Sequence, residues 1–191
     1  MPKKYQRLLD HRKECIKKYK ETNKTEYLKE DDAILHFLGA GGREHYEFIV
    51  DFCNKNDFSF VYDIGAAYGH QSEVFLKNHK NIEYVGIEAS IDGKEWLWNN
   101  DEHYTYLENE YPCKLHTTDK DLAVSVLCLG WNCYLSEGEK TLNEQFKALS
   151  KDFKQALIFA PKHILPTVKK YFKEVELLPM EDDMDFIYMK N

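Results

Sequence analysis

A chain of 191 residues, 43% hydrophobic and 31% charged, has the length and apolar content of one globular domain with its own core, and little room for two. Its formal net charge of −7 argues against a dedicated, strongly basic nucleic-acid binder, although a local basic face is compatible with it. The five cysteines (Cys15, Cys53, Cys113, Cys128 and Cys133) are an odd set without C-x-x-C spacing, which reads as reduced thiols rather than a disulfide framework. No apolar run approaches the roughly 20 residues of a membrane span, and "MPKKYQRLLD" lacks the apolar core of a signal peptide. These features predict a soluble cytoplasmic protein with no membrane partner.

"KKYQRLLDHRKECIKKYK" sets Tyr5, Leu8, Leu9, Ile16 and Tyr19 at helical spacing with basic residues between them. The favoured reading is a solvated helix face; the sharper one is an arm that meets an anionic substrate or lipid headgroup. After the break at "ETNKTE", Asp31 or Asp32 is placed to cap a short helix, "AILHFLG", that Gly39 would end. "REHYEFIVDFC" is a further helical pattern through Tyr46, Ile49, Val50 and Cys53. Residues 1–56 are expected to form a helical lid or cap layer that is not an independent domain, ahead of a core over 57–191.

From Phe58 onward the pattern alternates. Strand-length apolar runs stand at "FSFVYDI", "EYVGIEA", "CKLH", "LAVSVLCL", "QALIFA", "EVELL" and "DFIYMK", with helical patterns at "QSEVFLKNH", "KTLNEQFKALSKDF" and "ILPTVKKYF". Such alternation predicts an α/β fold with a mostly parallel sheet and helices on both faces. "LAVSVLCL" is apolar at nearly every position, as a central strand covered on both sides should be. "VELLPMEDDMDFIYM" leaves no room for a helix, so the last two strands should pair as an antiparallel hairpin. The segment around Trp96, Trp98, Tyr104, Tyr106 and Tyr111 reads as core or a cover over it, and less readily as a ligand wall.

The stretch "FVYDIGAAYGHQSEVF" joins the first strand to its helix, where open parallel sheets bind ligands. A dinucleotide fingerprint starting at Gly65 would require glycine at positions 67 and 70, which are Ala67 and His70. No Gly-Lys-Ser/Thr follows either, so the phosphate-cradling loops are excluded. What remains is Asp-x-Gly-x-Ala-x-Gly, followed 25 positions after Asp63 by Glu88 at the end of the second strand, where a carboxylate suits ribose hydroxyls.

"VYDIGAAYG" resembles the first motif of the Rossmann-like, class I S-adenosylmethionine-dependent methyltransferases. "YVGIEAS" is similar to their second strand, and "LAVSVLCLGWNCYL" to their fourth strand and the substrate-facing loop after it. The resemblance runs from about Phe58 to the C-terminus and implies their seven-stranded sheet with its antiparallel C-terminal hairpin. It implies S-adenosylmethionine as cofactor. Asp63 would organise the loop and the amino-acid end of the cofactor, while Gly65 and Gly69, with Ala66 and Ala67 between them, would admit it close to the backbone. Glu88 would take the ribose, Ala89 and Ser90 would flank the adenine, and Asp119 would meet the adenine amino group after a third strand at "CKLH".

Methyl transfer from a sulfonium is a direct displacement, so alignment is the main requirement and a general base is needed only for a protonated nucleophile. Asn132 and Tyr134 in "GWNCYL" resemble acceptor-positioning residues of the family, without the prolines of its amino-methylating members. The histidines show no ligand cluster such as H-E-x-x-H, so no metal is expected; His163 reads as a surface helix start before a pocket base. The whole points to methylation of an O or N on a small-molecule acceptor. The alternatives are an RNA or protein methyltransferase using the basic first helix, and a non-catalytic cofactor-binding or scaffolding subunit.

Overall fold

Among the described residues, buried strands and amphipathic helices form where the apolar runs predict them, with one exception; the helical patterns at "AILHFLG" and "QSEVFLKNH" lie outside the described residues. The computed structural model describes residues 3–27, 43–66, 82–88, 104–126, 128–129, 138–180 and 184–191. Its strands are β1 (Phe60–Ile64), β2 (Glu83–Glu88), β3 (Tyr104–Glu108), β4 (Asp121–Val126), β5 (Gln155–Pro161), β6 (Glu174–Pro179) and β7 (Met184–Lys190). They join one seven-stranded sheet in the order β3-β2-β1-β4-β5-β7-β6. β1 to β5 run parallel, and β7 lies antiparallel between β5 and β6, which is the expected terminal hairpin.

The exception is the third strand. "CKLH" (113–116) pairs with no strand among the described residues, and β3 is instead "YTYLE". Its apolar alternation has another cause: Cys113 and Leu115 pack against the flank of the core, and the Tyr62 hydroxyl donates to the His116 carbonyl at 2.8 Å. The segment hugs the sheet without extending it.

Strand alternation sends side chains to two apolar layers. Tyr62, Ile64, Val85, Ile87, Ala123, Ile158 and Ile187 face α3 (Glu139–Asp152) and α4 (Leu165–Tyr171). Val61, Tyr84, Leu122, Val124, Leu157, Phe159 and Phe186 face α2 (Arg43–Asn56), which contributes Tyr46, Ile49, Val50 and Cys53. Helices therefore cover both faces, and each fully buried aliphatic or aromatic side chain contributes about 1.5–3 kcal/mol relative to exposure. Central β4 and β5 are buried along almost their whole length, whereas edge strand β6 exposes Glu174, Glu176 and Leu177.

Local stop signals set the helix ends. α1 (Lys3–Thr22) closes on Asn23, whose φ of 56° is left-handed and whose N–H returns to the Tyr19 carbonyl at 2.7 Å. α2 closes on Asp57 at φ 58°, with the Phe58 N–H bonded to the Cys53 carbonyl at 3.1 Å. Phe58 then stacks on Phe52 with ring centroids 6.1 Å apart, the apolar clasp that completes this kind of cap. The turn delivers the chain directly into β1. No helix among the described residues is long and apolar enough to cross a membrane.

Candidate functional site

Strand order reverses between β1 and β4, and a cavity of about 170 Å³ opens beside the carboxyl ends of the strands at that point. β1 supplies Ile64 and Gly65, and β2 supplies Ile87 and Glu88. Asn109, Glu110 and Tyr111 follow β3; Cys128 and Leu129 follow β4; Gln145 reaches in from α3. Ile64, Ile87, Cys128 and Leu129 make apolar walls, while Glu88, Asn109, Glu110 and Gln145 add polar groups. No Lys, Arg or His is among the described lining residues.

Short hydrogen-bonded links hold these ends together. The N–H groups of Gly65 and Ala66 both donate to the Ile87 carbonyl, at 2.8 and 3.1 Å, folding the start of the loop over β2. The Asn109 N–H donates to the Glu88 carbonyl at 2.9 Å and ties the segment after β3 to the same strand end. Buried Ser125 donates to the Ile64 carbonyl at 2.7 Å and accepts from the Leu129 N–H at 3.1 Å. That bridge brings Cys128 against Gly65. A Cβ at Gly65 would overlap the Cβ and Sγ of Cys128, and φ is +80°. The glycine thus serves both a left-handed turn and a close approach by a side chain of the chain itself.

Tyr111 is buried, and its hydroxyl donates to Asp152 at 3.0 Å. Burial first, and then the neighbouring carboxylate, push the phenol far above its ordinary value, so it stays a neutral donor. Gln145 is only 6% exposed, and its Oε1 has no hydrogen-bond partner among the described residues.

Asp63 is fully buried on the opposite face of the sheet. Its Oδ2 accepts from the Tyr46 hydroxyl of α2 at 3.0 Å and from the Tyr84 hydroxyl of β2. It is not among the residues lining the cavity, and its observed partners are phenols from the adjoining elements. Gly65 and Glu88 do line the cavity, with buried Ala66 directly behind the turn. Asp119 is separated from them. It lies in the exposed turn before β4, where Asp121 accepts from the Thr118 N–H at 2.7 Å and pairs in register with Phe60 at the start of β1. The length of β1 puts that turn about 13 Å from the cavity edge, which corrects the adenine assignment of Asp119. The error follows from the displaced third strand: the residues that leave its carboxyl end are Asn109, Glu110 and Tyr111. Ala67, Gly69, Ala89, Asn132 and Tyr134 lie outside the described residues. Gln145 was missed although it carries a signal, being polar within the buried stripe Leu142, Phe146 and Leu149. No group of three or more His, Cys, Asp or Glu side chains that could hold a metal occurs among the described residues.

No protein-family model and no curated protein matches the chain. Solved structures do. A proposed O-methyltransferase from Nostoc punctiforme superposes with a TM-score of 0.61 at 11% identity, over 78% of this chain and 56% of its own. The methyltransferase domain of a bacterial Hen1 gives 0.61 at 12% identity, over 78% of this chain and 98% of that domain. Human N-acetylserotonin methyltransferase in complex with S-adenosylmethionine gives 0.55 at 10% identity, over 70% of this chain and 48% of its own. The chain spans little more than half of the first of these and corresponds to nearly all of the second. Its fold is that of the class I S-adenosylmethionine-dependent methyltransferases.

Proposed function

We propose that this protein binds S-adenosylmethionine in the cavity at the β1–β4 switch point and transfers its methyl group to an O or N of a small molecule. The observation that carries the reading is the lining: a carboxylate at the end of β2, a second one at Glu110, apolar walls, and no described cation. Such a site suits a nucleoside with free ribose hydroxyls and a positively charged centre, and it disfavours a phosphate-bearing nucleotide. The residues present therefore fit this cofactor, which when bound supplies an electrophilic methyl group on sulfur.

Glu88 accepts from the ribose hydroxyls, and Ile64, Ile87 and Leu129 enclose the base and exclude water. The hydrogen bonds at Gly65, Ala66, Ser125 and Asn109 keep these strand ends fixed, so that alignment is built in before binding. Asn132 and Tyr134 are proposed to face the acceptor. Because α2 is bound into the core, a capping role in the N-terminal layer falls to the chain before it. On α1, Lys13, Lys17 and Lys18 lie 3.4, 4.0 and 3.1 Å from Asp10, Glu21 and Glu14, which pairs three of the helix's eight Lys and Arg side chains. The net charge of −7 favours a small acceptor over RNA.

Calorimetry with S-adenosylmethionine and S-adenosylhomocysteine tests the reading. Micromolar binding that Glu88→Ala weakens at least about tenfold is expected, matching the loss of charge-assisted hydrogen bonds. A wild-type protein that binds neither compound refutes it.

A further inference from the structure

Charge is unevenly divided along the chain. Residues 139–173 carry eight lysines, three acids and no arginine, a net +5 that leaves −12 for the rest. On α3, Lys140, Glu144, Lys147 and Lys151 recur at helical spacing on the solvent side, opposite the buried stripe of Leu142, Phe146 and Leu149. The Asn143 side-chain oxygen accepts from the Lys170 ammonium at 3.4 Å and from the Tyr171 hydroxyl at 3.2 Å, so α4 lies alongside α3 on the same side of the sheet. The flanks join through the end of β7: the Asn191 N–H donates to the Lys154 carbonyl and the Lys173 N–H to the Lys190 carbonyl, both at 3.0 Å. Acids answer few of these charges. Lys140 lies 4.0 Å from Glu144 and Lys162 3.4 Å from Asp185, while the Asp152 carboxylate takes the Tyr111 hydroxyl. Lys147, Lys151, Lys154, Lys169, Lys170 and Lys173 are exposed, with no carboxylate within 4.0 Å among the described residues.

We propose that this lysine face docks reversibly on an anionic lipid surface. Such an asymmetry in a chain of net charge −7 marks a side that meets anions. The chemistry of the face selects the kind of anion. Arginine, whose planar fork grips nucleic-acid phosphates in pairs, is absent from 139–173, and no large aromatic ring is exposed among the described residues to stack a base. An acidic protein partner would use an apolar anchor, and Leu177, the exposed large hydrophobic among the described residues, sits apart on edge strand β6. What stands on α3 and α4 is an array of flexible point charges. That suits a plane of headgroups and the negative potential above it, where each lysine near the surface contributes about fivefold. Residue order predicted no membrane partner because no run could span a bilayer; contact with its surface needs no span. Lys154 and Lys173 precede β5 and β6, at the amino ends of the strands, whereas the cavity opens beyond the carboxyl ends. A docked molecule therefore keeps its cavity free for a soluble acceptor.

Vesicle co-sedimentation tests the proposal, with phosphatidylcholine alone against phosphatidylcholine containing about one-third phosphatidylserine. Wild type should bind the anionic vesicles at least about tenfold more tightly, and should leave them as salt rises from about 0.05 to about 0.5 M. Lys147→Glu/Lys151→Glu/Lys169→Glu/Lys170→Glu should abolish the preference, and glutamine at the same four positions should weaken it. Thermal unfolding identifies whichever variant is folded. Lys13→Glu/Lys17→Glu/Lys18→Glu on α1 should leave the preference intact. A wild type indifferent to phosphatidylserine, a folded four-site variant that keeps the full preference, or an equal loss from the α1 variant overturns the proposal. So does tighter binding of a single-stranded RNA or an RNA duplex than of the anionic vesicles at the same salt, which would assign the face to nucleic acid. None of these outcomes bears on the cofactor reading, which calorimetry tests separately.

Discussion

Gly65→Ala puts the loop geometry to a quantitative test. Two costs meet at this position. The φ of +80° lies in the left-handed region, where an L-residue other than Gly loses about 1–2 kcal/mol. The new methyl group also runs into the Cβ and Sγ of Cys128, whose neighbour Leu129 is tied through the Ser125 hydroxyl to Ile64, the residue before the glycine. Overpacking of this kind costs about 1–3 kcal/mol, so the sum is about 2–5 kcal/mol, read as a lower urea midpoint with unchanged slope. The two parts separate in a double-mutant cycle. Cys128→Gly removes both overlapping atoms and should recover about 1–3 kcal/mol in the Gly65→Ala background, leaving the backbone cost. Cys128→Ala removes only the sulfur and keeps the Cβ, so it should recover much less. Equal recovery by the two, or a Gly65→Ala cost below about 0.5 kcal/mol, would refute the argument that Cys128 fills the space beside the glycine.

Two further outcomes concern buried polar groups on the α2 side of the sheet. Tyr46→Phe removes a 3.0 Å donor from the buried Asp63 carboxylate and should cost about 1.5–3 kcal/mol by chemical denaturation, whereas the same change at exposed sites should be neutral. Cys53 is fully enclosed, and burial pushes its thiol from 9.0 up to about 12. Below 9.0 both folded and unfolded chains keep the proton; between 9.0 and about 12 only the folded chain does. Stability should therefore fall as pH rises through that window, by up to about 1.4 kcal/mol per unit from this group. Urea titrations at successive pH values check it, with Cys53→Ala expected to flatten the decline relative to wild type.

What could be read from residue order followed from burial. β1, β2, β4 and β5 are continuous apolar runs because helices cover both sides of them, and the short link before β7 forces the hairpin. β3 was obscured because Tyr104 and Tyr106, two apart as strand residues should be, stand in a segment crowded with aromatics. "CKLH" meanwhile imitates a strand by lining the flank of the core. One displaced strand carried the error to Asp119. Glu88 was legible because its position at a strand end carries chemical meaning by itself. The approach of Cys128 to Gly65 was not, since it depends on how two strand ends converge across the sheet, and no local pattern encodes that. Gln145 could have been noticed as a polar interruption of a buried helical stripe.

The bond from Tyr46 to Asp63 reaches beyond this site. The acid at the end of β1 and the helix before it share one hydrogen bond across the boundary drawn at residues 56 and 57. Severed there, the remaining chain would keep only the Tyr84 donor of the two observed on that oxygen, and would bare the layer that Ile49, Val50 and Cys53 cover. A chimaera that grafts the leading helices of another protein of this fold onto this sheet loses the Tyr46 donor unless the graft brings a hydroxyl to the same place.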